Sequence, residues 1–134
     1  MNKVLVDTSV WIDALNGRHT PQTKLLEQLI DEDAPIVLCP VVIQEILQGI
    51  KDDKDFSLVK DRLSGFELLI IDPLEAAYCA ASLYRKVRKH GITIRKSNDC
   101  LIAHYSIFCN TRLLHNDEDF NKIAEYTTLK ILNG

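Results

Sequence analysis

The chain is 134 residues long, 46% hydrophobic and 26% charged, the composition of one ordinary globular domain with room for a core. No apolar run approaches the roughly 20 residues of a membrane helix, which excludes a helical membrane protein. The formal net charge of −3 argues on its face against a nucleic-acid binder.

Met1-Asn2-Lys3 leads straight into Val4-Leu5-Val6, with no signal-peptide apolar region, which points to the cytosol. A short β-branched run without alternation reads as a buried parallel strand. It ends in Asp7-Thr8-Ser9, and Val10 to Leu15 reads as a helix. Gly17-Arg18-His19 breaks it. Thr20-Pro21 then starts a second helix, with Thr at the N-cap and Pro at the first position. Leu25, Leu26, Leu29 and Ile30 form its apolar face, and Asp31-Glu32-Asp33 ends it.

Ile36 to Cys39 reads as strand two. Pro40 opens a helix with Val42, Ile43, Ile46, Leu47 and Ile50 toward the core and Gly49 near its end. Lys51 to Ser64 is expected to be helical, anchored by Phe56, Leu58, Val59 and Leu63, with Gly65 as its C-cap. Glu67 to Ile71 reads as strand three. Asp72-Pro73-Leu74-Glu75 has the pattern of a capped helix start. That helix carries Ala76, Ala77, Ala80 and Ala81 for close packing and ends before Gly91. Ile92 to Ile94 is a short extended piece. Ser97 is expected to cap a helix holding Cys100, Leu101, Ile102, Tyr105 and Phe108. Arg112 to His115 reads as strand four, Asn116 to Asp119 as a turn, Phe120 to Tyr126 as a short helix and Leu129 to Leu132 as a last strand. Strands alternating with helices imply a mostly parallel sheet covered on both faces; the pattern does not reveal strand order.

Cys39, Cys79, Cys100 and Cys109 form no C-x-x-C pair and are expected to be buried free thiols. With His19, His90, His104 and His115 they show no zinc spacing. Residues 85–96 hold Arg85, Lys86, Arg88, Lys89, Arg95 and Lys96 and no acid, leaving ten basic against nineteen acidic residues elsewhere. One basic segment thus stands out from an acidic remainder.

In open α/β sheets, ligands bind beyond the carboxyl ends of the strands. Asp7 follows strand one, and Glu45 interrupts an apolar helix after strand two. Asp99 lies in the first turn of the Ser97 helix, and Asp117 and Asp119 follow strand four. Each alone reads as a helix cap, a dipole partner or a turn residue. Together at one sheet edge they repel unless a cation lies between them. An all-oxygen set suits Mg2+ or Mn2+ over zinc or copper.

Four fragments in order carry a resemblance: Val4 to Ile12, Gln44 to Gly49, Asn98 to Ala103, and Leu114 to Phe120. Over essentially the whole chain the sequence resembles PIN-domain ribonucleases of the toxin type found in VapBC toxin–antitoxin pairs. The resemblance implies an α/β fold, an α/β/α sandwich with a mostly parallel sheet of about five strands, as one PIN domain over 1–134. It implies an endoribonuclease dependent on Mg2+ or Mn2+, with Asp7, Glu45, Asp99 and Asp117 as catalytic and metal-binding acids and Asp119 as an auxiliary metal ligand. Thr8 or Ser9 would stand beside the first metal, and both are expected among the substrate-binding residues. Arg95 and Lys96, just ahead of a helix N-terminus, are expected to hold substrate phosphate. His115 replaces the Ser or Thr frequent two residues before the fourth acid; the residue type allows a contact to a carboxylate or a substrate phosphate there, and equally a structural role. A VapB-like antitoxin, an RNA substrate and a homodimer, the last in contact through the apolar helix pairs near the N-terminal half, are the implied partners, in the cytoplasm and without a membrane.

A catalytically inactive PIN-like module, binding metal or protein, is disfavoured by the intact set of acids. A phosphotransfer receiver needs a Lys after its last strand, and none follows Leu132.

Overall fold

The computed structural model describes residues 2–133. In chain order it has β1 (Val4–Val6), α1 (Thr8–Leu15), α2 (Pro21–Asp31), β2 (Ile36–Leu38), α3 (Pro40–Gln48) and α4 (Asp53–Leu63). Then follow β3 (Glu67–Leu68), α5 (Pro73–Lys89), α6 (Asn98–Phe108), β4 (Arg112–Leu114), α7 (Glu118–Glu125) and β5 (Lys130–Ile131). The five strands form one sheet in the order β3-β2-β1-β4-β5, and every neighbouring pair is parallel.

Because β1 is central, the chain steps outward through β2 and β3, then returns to the other side of β1 for β4 and β5. Right-handed crossovers put the helices of the two halves on opposite faces of the sheet. The packing agrees in the main: α1 packs on α2 and α3, and α3 on α4, while α5 packs on α6 and α6 on α7; α3 also meets α6. The reversal between β1 and β4 opens a crevice at their carboxyl ends, the usual place for a ligand in such sheets. The main chain of Asp7 is pinned there, its N–H donating to the Leu114 carbonyl at 2.8 Å.

Caps explain most boundaries. Thr20 and Thr23 form a reciprocal capping box ahead of α2. Asp72 accepts from Glu75 N–H at the start of α5, whose last turn carries Lys86, Arg88 and Lys89 against the negative end of the dipole. Gly17 and Gly91, at φ of 71° and 79°, end α1 and α5 in a conformation that side chains resist. The core is built on Leu5, Val6, Val10, Val37, Ile102, Leu113, Phe120 and Ile123, all fully buried. Among the described residues no helix is long and apolar enough to cross a membrane.

Several expectations need correction. Only Glu67–Leu68 pairs in strand three: it is an edge strand, its last ladder bond runs from Leu69 N–H to Leu38, and Ile70 stands 80% exposed. The last strand likewise shrinks to Lys130–Ile131. Ser97 takes a helical backbone and its side chain makes no cap bond. Ser64, not Gly65, caps α4 at its C-terminus, and Gly65 keeps an ordinary φ. Phe56 and Leu58 do not anchor α4: they face outward, and Leu63 is its buried residue. Helix α7 begins at Glu118 because Asp117 caps it, two residues earlier than its apolar pattern suggests. All four thiols are free, but Cys79 is exposed and Cys109 half-buried. Ala77 and Ala81 are exposed, leaving Ala76 as the buried alanine of α5.

Candidate active site

A crevice of about 340 Å³ opens at the carboxyl ends of β1 and β4. Asp7, Glu45, Asp99 and Asp117 line it, with Thr8, Ser9 and Lys96. Each acid is delivered by a different element: Asp7 by the end of β1, Glu45 by the second turn of α3, Asp99 by the first turn of α6, and Asp117 by the N-cap of α7.

Asp7 is buried and held twice by Ser9, through its N–H (3.0 Å) and its hydroxyl (2.6 Å). The same hydroxyl accepts from Asn116 N–H at 3.0 Å, stitching the end of β1 to the segment after β4. Burial pushes the Asp7 pKa up against these bonds. Thr8 donates to Glu45 Oε1 at 2.7 Å. The two hydroxyls thus orient acids and are already committed in the structure. Ser9→Ala leaves the buried end of Asp7 and the Asn116 N–H short of a partner. It should cost about 1–2 kcal/mol, measured by chemical unfolding; an unchanged midpoint would show that the stitch contributes nothing.

Asp99 is 4% exposed, and its Oδ2 is buried with no hydrogen-bond partner. Desolvation, then the charges of Asp7 and Asp117, raise its pKa to about 7. Asp117 Oδ1 accepts from Asp119 N–H at 3.0 Å. Asp119, 2% exposed, accepts from Arg95 N–H at 3.1 Å and lies 3.8 Å from Lys122 Nζ. Oxygens of Asp99, Asp117 and Asp119 lie within 4.8 Å of one another. Two ligands on opposite sides of a hard divalent ion are roughly 4–5 Å apart. The donors are all oxygen, they repel as anions, and one is an orphan: the set fits a divalent cation.

The basic residues divide. Lys96 lines the crevice. Arg95 is drawn onto the acids, with Nη2 3.4 Å from Asp117 Oδ1 and Nε 3.5 Å from Asp119 Oδ2. Lys86, Arg88 and Lys89 are exposed on the last turn of α5, outside the residues lining the crevice.

Of the two roles open to His115, the structure favours the structural one over a place among the substrate-binding residues. Its ring is buried, 5.1 Å from that of Phe120, and borders a separate depression with Pro21 and Gln22. Nδ1 accepts from Asp117 N–H at 3.1 Å, which assigns the proton to Nε2, 3.1 Å from Asn121 Oδ1. Burial lowers its pKa against the opposing pull of Asn121 and the nearby acids. With both nitrogens engaged, His115 braces the Asp117 turn from behind.

Sequence reasoning missed Asp13, Arg18 and Asn116, which also line the crevice. Asn116 Nδ2 donates to Asp13 Oδ2 at 3.2 Å, and Arg18 pairs with Asp13 Oδ1 at 3.5 Å. Asp13 interrupts an apolar run much as Glu45 does, and that signal was available.

Residues 4–126 match the PIN domain family. The chain is 34% identical over 128 residues to the VapC ribonuclease Mb1587 of Mycobacterium bovis and to ribonuclease VapC11 of Mycobacterium tuberculosis, covering 95% of this chain and 96% of each relative. Its fold is similar to that of VapBC2 from Rickettsia felis, solved bound to a promoter DNA fragment, with a TM-score of 0.76 and 20% identity over 98% of both chains. VapBC-1 from nontypeable Haemophilus influenzae gives 0.73 and 18% over 98% of this chain and 97% of that one. The family match spans nearly the whole chain and the close relatives are VapC proteins, so the chain belongs to the PIN-domain family, in its VapC branch.

Proposed function

We propose that residues 1–134 form one PIN domain that acts in the cytoplasm as an endoribonuclease toxin dependent on Mg2+ or Mn2+. The observation that carries this reading is the gathering of Asp7, Glu45, Asp99 and Asp117 around one crevice, with a buried Asp99 oxygen left unpartnered. The naming of the 34% identical relatives as ribonucleases supports the substrate class.

Asp7, Asp99 and Glu45 would hold the ion, directly or through water, and Asp117 with Asp119, whose oxygens converge with those of Asp99, would complete the set. When bound, the ion makes a water acidic enough to attack at neutral pH and offsets charge on the phosphoryl oxygens. Ser9 fixes Asp7 and Thr8 fixes Glu45, so these acids need little reorganisation on loading. Glu45, half-buried where Asp7 and Asp99 are buried and held at Oε1 by Thr8, would use its free Oε2 to orient the attacking water or take its proton. Lys96 at the rim holds substrate phosphate. Cleavage leaves a 5′-phosphate and a 3′-hydroxyl.

Chelator-stripped protein should be inactive on RNA and recover with Mg2+ or Mn2+. New ends should carry a 5′-phosphate. Folded Asp7→Asn should lose at least about a hundredfold in rate, since even outer partners of a metal site cost 10- to 100-fold. Full cleavage in excess chelator, or by the folded variant, would sink the reading.

The partner we propose is an antitoxin with an apolar helix. A cavity of about 450 Å³ among α1, α2, α3 and α4 is lined by Trp11, Ala14, Leu26, Ile46, Leu63 and Phe66, with Leu15 and Ile30 half-exposed at its edge. The solution of similar folds as VapBC2 and VapBC-1 supports this assignment. An Arg or Lys from the same partner reaches Asp7, Glu45 and Asp99, where guanidinium suits paired carboxylates. Full inhibition by an antitoxin lacking that basic residue would leave occlusion by bulk as the explanation. The homodimer requires a different surface if the antitoxin fills this cavity; exposed Ile70, Leu74 and Tyr78 offer one.

A further inference from the structure

Arg95 belongs to the segment between α5 and α6, and it meets the same acceptors that a divalent ion would. Its backbone N–H donates to Asp119 Oδ2 at 3.1 Å. Nε lies 3.5 Å from that oxygen, and Nη2 lies 3.4 Å from Asp117 Oδ1. Asp117 and Asp119 are two of the three carboxylates whose oxygens converge within 4.8 Å. The third, Asp99, keeps an unpartnered buried oxygen that the guanidinium leaves unserved.

The two attachments of Arg95 differ in kind. The backbone bond lands on a carboxylate that is 2% exposed, and nothing in it depends on the side chain. The guanidinium contacts are long beside the roughly 2.7–2.9 Å of a strong charge-assisted bond, and the side chain is 73% exposed. Such a pair is weak and easily exchanged. The main chain is therefore anchored at the acids while the charged head can leave them. A guanidinium that lets go remains tethered beside the crevice, next to Lys96 at its rim.

We propose that Arg95 is a built-in, displaceable counter-cation: it covers Asp117 and Asp119 until a divalent ion takes them, and the released guanidinium then grips an RNA phosphate. This rests on the metal-dependent reading above and adds an order to it, with loading of the ion creating a phosphate-binding arm. Guanidinium suits both duties, since its fork matches carboxylate and phosphate oxygens alike. The exchange also accounts for a basic residue resting on acids that it would otherwise block.

The test follows the Nε–H resonance of Arg95 by 15N NMR in chelator-stripped protein, assigned with Arg95→Lys and titrated with MgCl2. The resonance should move toward that of a solvent-exposed arginine as Mg2+ saturates the site. In parallel, calorimetric titration with MnCl2 should show Arg95→Ala binding the ion about three- to fivefold more tightly than wild type, the scale of an exposed ion pair. The same variant should show a raised KM for RNA. An unmoved resonance at Mg2+ saturation, or Mn2+ binding no tighter in Arg95→Ala, overturns the exchange while leaving the metal-dependent reading intact. Absence of Mg2+ and Mn2+ binding by wild-type protein overturns both.

Discussion

Asp99→Asn should destroy activity and strengthen the fold. The loss follows from removing the carboxylate whose buried oxygen lacks a partner, and should exceed about a hundredfold. The gain follows from the cost of burying that charge. The Asp99 pKa stands at about 7 in place of 3.8, raised first by desolvation and then by Asp7 and Asp117. The native state therefore holds this proton more tightly than the unfolded chain. The contribution is fully present below about pH 4 and is lost as pH rises through 7. At pH 8 the penalty has a ceiling of roughly 4 kcal/mol, and relaxation around the charge brings the expectation to about 1–2 kcal/mol. Thermal unfolding in excess chelator should show Asp99→Asn more stable than wild type at pH 8 and nearly equal to it at pH 4. Mg2+ should then stabilise wild type far more than the variant, because it binds the native state alone. Equal stability at pH 8 would mean that Asp99 is not under electrostatic strain, and would remove one of the physical reasons for placing an ion there.

The parts legible in the sequence share one property: they depend on local pattern. Val4-Leu5-Val6 and Leu113-Leu114 are buried on both faces of a central sheet, so their apolar runs sufficed. Thr20-Pro21 and Asp72-Pro73 carry their caps within four residues. What failed depends on distant neighbours. Ile70 continues the apolar run of strand three, yet nothing covers it at the sheet edge. Ser97 has the right side chain for a cap, but the chain enters α6 already in helical geometry. For the site, spacing located the acids but not their partners. The commitment of Ser9 to Asp7 and Asn116, of Thr8 to Glu45, and of Arg95 to Asp117 and Asp119 spans up to 107 residues and is invisible along the chain. His115 shows the same limit: its residue type suits a phosphate contact, while its burial against Phe120 and Asn121 sends it to a bracing role.

Phe120→Ala should be the most damaging single truncation near the site. Phe120 is fully buried, stands in the first turn of α7, and packs its ring 5.1 Å from that of His115. Its N–H donates to the Asp117 carbonyl at 3.1 Å, so the ring and the N-cap of α7 form one unit. Emptying that space should cost about 3–5 kcal/mol, a large part of the roughly 5–15 kcal/mol that holds an ordinary domain together. Phe120→Leu keeps most of the volume and should cost about 1 kcal/mol. The pair separates two effects. If Phe120 acts only on stability, both variants should cleave RNA normally at temperatures where each is folded. The geometry predicts otherwise: with the ring gone, His115 loses its backing, the Asp117 turn loosens, and Asp117 and Asp119 no longer present their oxygens together. Folded Phe120→Ala should therefore bind Mn2+ more weakly than folded Phe120→Leu, with calorimetric titration as the measure. Equal affinity in the two would confine Phe120 to the core and show that the acids after β4 are held by their hydrogen bonds alone.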